Sequence, residues 1–134
     1  MIPSLTTVLV VDDDQQLLGL FRHYVAPYAC AFAASAEEAV ELLRAQPFQL
    51  VLTDMKLPGA SGFEVCRFAR EHCPDAVLLM MTGMDGGQHA TKALQAGVFH
   101  FVTKPIDFPR LLLLVEDAVR HQALAARIRR RHTG

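Results

Sequence analysis

Apolar residues arrive in short runs that hardly alternate with polar ones. The runs are Val8-Leu9-Val10-Val11, Leu50-Val51-Leu52, Val77-Leu78-Leu79-Met80-Met81 and Phe99 to Val102, with a weaker one from Cys30 to Ala34. A strand with one wet face alternates apolar and polar residues, whereas a strand covered on both faces does not. The runs therefore predict a parallel sheet with helices on either side. Helical spacing fills the stretches between them: Leu17, Leu18, Phe21 and Val25; then Ala36, Ala39, Val40 and Leu43. The same i, i+3, i+4 pattern recurs at Phe63, Cys66 and Ala69, at Ala90, Ala93 and Leu94, and at Leu111, Leu112, Val115 and Val119. Turn formers separate these segments at Pro47, Pro58-Gly59, Pro74-Asp75, Gly86-Gly87, Gly97 and Pro105. Five strand–helix pairs in succession predict a doubly wound α/β sheet, with right-handed crossovers setting helices on both faces. Ligands of such sheets bind beyond the carboxyl ends of the strands, so chemistry is expected in the residues that end each run.

Composition narrows the function classes. At 134 residues, with 51% hydrophobic and 20% charged residues, the chain is one domain long and excludes disorder. No apolar stretch approaches the roughly 20 residues of a membrane span, and no basic-then-apolar leader precedes the first run. A cytoplasmic domain with no membrane partner is expected. With 13 basic and 14 acidic residues, a net charge of −1 gives no global field toward nucleic acid. Cys30, Cys66 and Cys73 are odd in number and lack CxxC spacing, and they read as buried thiols in a reducing compartment. His23, His72, His89, His100, His121 and His132 lack metal-ligand spacing and read as surface or packing residues. The tail carries Arg120, Arg127, Arg129, Arg130 and Arg131 with no acid after Asp117. It reads as a solvated helix end that complements the macrodipole. Leu124 and Ile128, four residues apart, leave open a coiled coil or a linker to an output domain. Direct DNA binding is not expected, because the basic run is short and follows no helix-turn-helix.

Four strand ends carry the chemistry. The first run passes straight into Asp12-Asp13-Asp14, the third ends Thr53-Asp54, the fourth Thr82-Gly83 and the fifth Thr103-Lys104-Pro105. In a doubly wound sheet these converge on one edge. Two carboxylates about 4 Å apart repel by about 4 kcal/mol at an effective dielectric near 20. A cluster of them takes up protons, pairs with a cation or binds a metal. Lys104 supplies one positive charge, and Mg²⁺ suits a site of few carboxylates, water and a phosphoryl oxygen. No histidine or cysteine adjoins the cluster, which argues against zinc. A carboxylate nucleophile, a metal, a fixed cation and the Thr82 hydroxyl together form an apparatus for handling a phosphoryl group. Asp14 reads as a helix N-cap. The Asp-x-Asp within Asp12-Asp13-Asp14 also occurs in haloacid-dehalogenase-type phosphatases, but their second acidic pair after a late strand is missing here. No glycine-rich phosphate loop follows the first run, which counts against a nucleotide-binding domain.

At these residues the sequence resembles the receiver domains of two-component response regulators, the CheY-like family. The likeness rests on Val8-Leu9-Val10-Val11-Asp12-Asp13, Leu52-Thr53-Asp54-Met55-Lys56-Leu57-Pro58-Gly59, Gly62-Phe63-Glu64, Met81-Thr82-Gly83 and Phe101-Val102-Thr103-Lys104-Pro105. The resemblance implies a flavodoxin-like five-stranded parallel sheet of order 2-1-3-4-5 flanked by five helices. It further implies a receiver domain over residues 6–122 and a basic helical extension or start of a linker over 123–134. Asp54 would be the phosphoacceptor, taking a phosphoryl group from a sensor histidine kinase or histidine phosphotransfer protein. Asp13, Asp54 and the backbone carbonyl of Lys56 would ligate Mg²⁺, with Asp12 acting mostly through metal-bound water. Lys104 would pair with the phosphoryl group, and its bond to Pro105 would be cis. Thr82 and Phe101 would form the switch, altering the face of the fourth helix, fifth strand and fifth helix to control an output domain or partner. Homodimerisation on phosphorylation is a further implication. The domain would be a signalling switch rather than an enzyme; the competing reading is a phosphorylation-independent interaction domain. Gly83 replaces a small residue with a Cβ, and Lys56 and Met84 fall at positions that tune the phosphoryl lifetime. The loop holding Gly83, Gly86 and Gly87 is expected to be mobile without a phosphoryl group.

Overall fold

The computed structural model describes residues 7–25, 28–83 and 90–133. Each predicted run forms a strand: β1 (Thr7–Val11), β2 (Ala29–Ala33), β3 (Leu50–Asp54), β4 (Val77–Thr82) and β5 (Val98–Thr103). All pair in parallel in the order β2-β1-β3-β4-β5. Side chains alternate across the sheet, so neighbouring apolar residues serve two separate cores. Leu9, Val11, Val51, Leu78 and Met80 face one way, and Val8, Val10, Leu50, Leu52, Leu79 and Met81 face the other. This is why the central runs are apolar throughout.

The helices divide between those faces. Helix α1 (Gln15–Tyr24) and helix α5 (Phe108–Thr133) cover one with Leu18, Phe21, Leu111 and Val115. Helices α2 (Ala36–Ala45), α3 (Gly62–His72) and α4 (Ala90–Gln95) cover the other with Ala39, Leu43, Val65, Cys66 and Ala93. Asp14 caps α1, its carboxylate accepting from the N–H groups of Gln16 and Leu17 at 3.0 and 3.2 Å. Ser35 caps α2 by accepting from the Glu38 N–H at 3.1 Å. Between β3 and α3, Lys56–Leu57 and Ala60–Ser61 form a short antiparallel ribbon that turns at Gly59, where φ is +71°.

Two burial expectations need correction. The spacing places Leu94 with Ala90 and Ala93 on an apolar face, yet Leu94 is 74% exposed while Ala93 is 1% exposed. Consecutive helical residues lie about 100° apart, and a helix of six residues offers the sheet too narrow a stripe to bury both. Cys30 is only half-buried because β2 is an edge strand, whereas Cys66 and Cys73 are buried. All three thiols are free, and burial pushes Cys30 up to about 11 and Cys66 up to about 12.

Helix α5 runs unbroken for 26 residues, so the basic tail belongs to the same helix that packs on the sheet. Leu124 and Ile128 are exposed on it, and Arg129 Nε lies 2.6 Å from Asp75 Oδ1. Among the described residues no helix is long and apolar enough to cross a membrane.

Candidate functional site

The carboxyl ends of β1, β3, β4 and β5 meet as the topology requires. Asp12 follows β1, and its N–H donates to the Ala33 carbonyl at 3.0 Å, which extends the β1–β2 ladder by one residue. The extra rung sinks its side chain completely, whereas Asp13 beside it stays exposed. Asp54 ends β3, opposite Met81 of β4, and its side chain is 13% exposed. Thr82 ends β4 opposite Thr103 and is buried. Its carbonyl accepts the Lys104 N–H at 2.8 Å, which ties the start of the β5–α5 loop to β4. The Lys104–Pro105 peptide bond is cis, as the resemblance implied.

Lys104 reaches back over the edge, and its Nζ lies 2.9 Å from both Asp12 Oδ2 and Asp54 Oδ2. Asp12, Asp13 and Asp54 each offer an oxygen within 4.8 Å of the others. One ammonium thus pairs with two of the three carboxylates. Asp12 Oδ1 accepts the Asp14 N–H at 2.9 Å, but Oδ2 is buried without an aligned hydrogen-bond donor, so its contact with Lys104 is ionic only. Burial pushes the Asp12 carboxyl above its ordinary range, outweighing the Lys104 ammonium, and the Asp54 charge adds to the rise. Burial works against the Lys104 ammonium as well, but its ion pair with Asp12 and its hydrogen bond to Asp54 hold its pKa above the usual lysine value. A buried carboxylate oxygen without an aligned hydrogen-bond donor, beside two further carboxylates, is a donor set that fits a hard divalent cation.

The loop after β3 is bent by its own backbone. The Met55 N–H donates to Met81 at 3.0 Å, and the Gly62 N–H donates to the Met55 carbonyl at 2.8 Å. Lys56 is exposed, its N–H 3.4 Å from Asp54 Oδ1. Gly62 is the structural residue whose reason the sequence concealed: a Cβ there would collide with the Asp54 carbonyl. Its place between Ser61 and a helical pattern was the available signal. Phe101 is half-buried against the core under α2, α3 and α4, while Phe99 and Val102 turn to the α5 face. Gly83 is exposed; Met84, Gly86, Gly87 and His89, with the expected loop mobility, lie outside the described residues. The strand ends opposite Asp54 hold Thr82, Thr103 and Lys104, not the second acidic pair a dehalogenase-type phosphatase needs.

Residues 8–116 match the response regulator receiver domain family. The chain belongs to that family. Among the relatives of this receiver domain, the response regulator protein PilR of Pseudomonas aeruginosa is 37% identical over 114 residues, covering 84% of this chain and 26% of PilR. The transcriptional regulatory protein ZraR of Klebsiella oxytoca is 32% identical over 122 residues, covering 88% of this chain and 27% of ZraR. The receiver domain thus spans about a quarter of the length of these curated relatives. A CheY-like receiver domain protein from Methanospirillum hungatei superposes with a TM-score of 0.84 at 29% identity, over 90% of this chain and 98% of that one. A chain described as adenylate cyclase from Rhodopirellula baltica gives 0.89 at 28% identity, over 96% and 98%. The fold is that of a CheY-like receiver, and receiver domains of two-component response regulators are phosphorylation-linked signalling switches.

Proposed function

We propose that this receiver domain accepts a phosphoryl group on Asp54 from a phosphohistidine of a sensor histidine kinase or histidine phosphotransfer protein. The observation that carries this reading is the Lys104 ammonium held 2.9 Å from Asp54 Oδ2 at the mouth of the acidic cluster. An Asp54 oxygen attacks phosphorus, the new O–P bond forms as the P–N bond breaks, and the freed imidazole nitrogen keeps the electron pair. Lys104 orients the nucleophile beforehand and offers its charge to the phosphoryl oxygens afterwards. Thr82 supplies a hydroxyl to another of those oxygens, and Phe101 moves with it. Asp13, Asp54 and the Lys56 carbonyl would hold Mg²⁺, with Asp12 reaching it through water. When bound, the ion offsets the charge of the carboxylates and the phosphoryl group.

A phosphoryl group adds negative charge and acceptor oxygens at one point, which can bias a two-state element. The element proposed here is the surface of α4, β5 and α5, where Leu94 and Leu113 are exposed and Phe101 is half-buried. Residues 6–122 would form the receiver and 123–134 an extension or linker toward an output domain or partner, with dimerisation on phosphorylation as one means of control. The test is intact mass after incubation with acetyl phosphate and Mg²⁺. Wild type should gain one phosphoryl group and Asp54→Asn none. An equal adduct on both, or none on wild type, would leave a phosphorylation-independent interaction domain.

A further inference from the structure

We propose that the cleft between α3 and α4 is a second ligand site, separate from the acidic edge, which takes a phosphate-bearing polyanion. The cleft encloses about 500 Å³ and gathers Arg67 and Arg70 from α3 and Lys92 from α4, with Glu71 as the one acid in its lining. That volume lies within the range of roughly 300–1,000 Å³ typical of small-ligand pockets.

The charge arrangement is unlike that of the paired cations elsewhere in the described residues. Arg44, Lys104, Arg120 and Arg129 each stand within ion-pair distance of a carboxylate. Arg67, Arg70 and Lys92 have no carboxylate in that range among the described residues, although they converge on one concavity. Two of the three are also held in position. Arg70 donates from one terminal nitrogen to the Gln95 carbonyl at 3.0 Å, which ties α3 to the end of α4 and leaves further N–H groups for a ligand. Lys92 Nζ sits over the Phe63 ring at 4.7 Å, which fixes its stem while its N–H donors remain available. Arg67 and Arg70 are three residues apart and so share one face of α3.

A cleft with this surplus of positive charge concentrates anions in a protein whose net charge is −1. A lone carboxylate gains little from exposed cations, so the ligand must carry several charges close together. Guanidinium groups match phosphate oxygens in pairs, and two arginines on α3 facing a lysine on α4 suit a short phosphate chain. Glu71 on α3 disfavours anionic groups beside it and so limits how far the chain extends.

The test is calorimetric titration of the whole chain with inorganic tripolyphosphate in metal-free buffer of low ionic strength, with amide chemical shifts recorded in parallel. Saturable one-to-one binding is expected, with shifts confined to α3 and α4. The double variant Arg67→Gln, Arg70→Gln should weaken binding at least tenfold. Arg67→Gln alone, whose side chain has no ion pair or hydrogen bond among the described residues, should weaken it about threefold even where the double variant does not fold. Arg130→Gln, Arg131→Gln in the tail should bind as wild type does. A parallel titration with ATP separates the sources: equal affinity identifies the phosphate chain itself, tighter binding a nucleoside triphosphate. Absence of saturable binding, equal binding by Arg67→Gln, or loss in the tail variant in place of the cleft variants overturns the proposal.

Discussion

Asp12 occupies the least comfortable position among the charged residues described. It is fully buried, one of its oxygens lacks an aligned donor, and two further carboxylates stand close by. Buried charge is tolerated when it is paired, and here one lysine serves two acids. The raised Asp12 pKa turns this discomfort into a pH dependence. Below its ordinary 3.8 the carboxyl is neutral in folded and unfolded chains alike, so its favourable contribution is complete. That contribution is lost as pH rises through the raised folded value. Asp12→Asn, neutral at every pH, should therefore match wild type near pH 4 and exceed it by about 1–3 kcal/mol at pH 7 in the absence of metal. Urea denaturation across that range checks it; a difference independent of pH would sink the argument. The residues of the site were legible because each interrupts or ends an apolar run. Their order of burial was not. Whether Asp12 or Asp13 points inward depends on the extra rung from Asp12 to Ala33, a contact between residues far apart in the chain.

At the scale of elements, the sequence was clearest where burial on both faces makes a run apolar throughout, as in β1, β3 and β4. It was weakest in short or peripheral elements. Edge strand β2 carries only one fully buried residue, Ala33, and α4 has too few residues for its period to distinguish Ala93 from Leu94. The ribbon after β3 gave no pattern, since two residues on each side cannot show a period. Substitutions at two positions probe the architecture around the acidic edge. Asp14 acts on α1 by accepting from two N–H groups of its first turn. Asp14→Ala should cost about 1 kcal/mol, while Asp14→Ser should restore most of that loss. Both should still take a phosphoryl group from acetyl phosphate, which mass spectrometry reads directly. Gly62 acts on the loop that carries Asp54. Gly62→Ala pushes a methyl group into the Asp54 carbonyl, and relief requires β3 or the start of α3 to move. The expected cost is about 1–3 kcal/mol, with slower phosphorylation because the proposed phosphoacceptor, Asp54, shifts with its backbone. Unchanged melting and unchanged phosphorylation together would show that the close approach is relieved freely.

For the whole molecule, the acidic edge is a stability defect shared by three strands, since Asp12 follows β1, Asp54 ends β3 and Lys104 follows β5. The unfolded chain does not hold these groups together, so their mutual repulsion weighs only on the native state. A cation that binds the assembled edge therefore stabilises the fold as a unit. A ligand specific to the native state contributes RT ln(1 + [L]/Kd), about 2.7 kcal/mol at one hundred times Kd. Mg²⁺ should accordingly raise the melting temperature by several degrees for a domain of 134 residues, and chelation should reverse the rise. The same logic fixes how variants respond. Asp13→Asn removes an exposed carboxylate from the cluster, so it should raise the metal-free melting point slightly and abolish most of the Mg²⁺ effect. Asp14→Ala leaves all three cluster carboxylates in place and should keep the full Mg²⁺ increment from its lower starting point. Differential scanning fluorimetry of these proteins with Mg²⁺, and with Na⁺ at matched ionic strength, distinguishes site binding from general screening. An equal rise in Na⁺ would overturn site binding in favour of general screening, and an undiminished Mg²⁺ rise in Asp13→Asn would remove Asp13 from the ion's ligands.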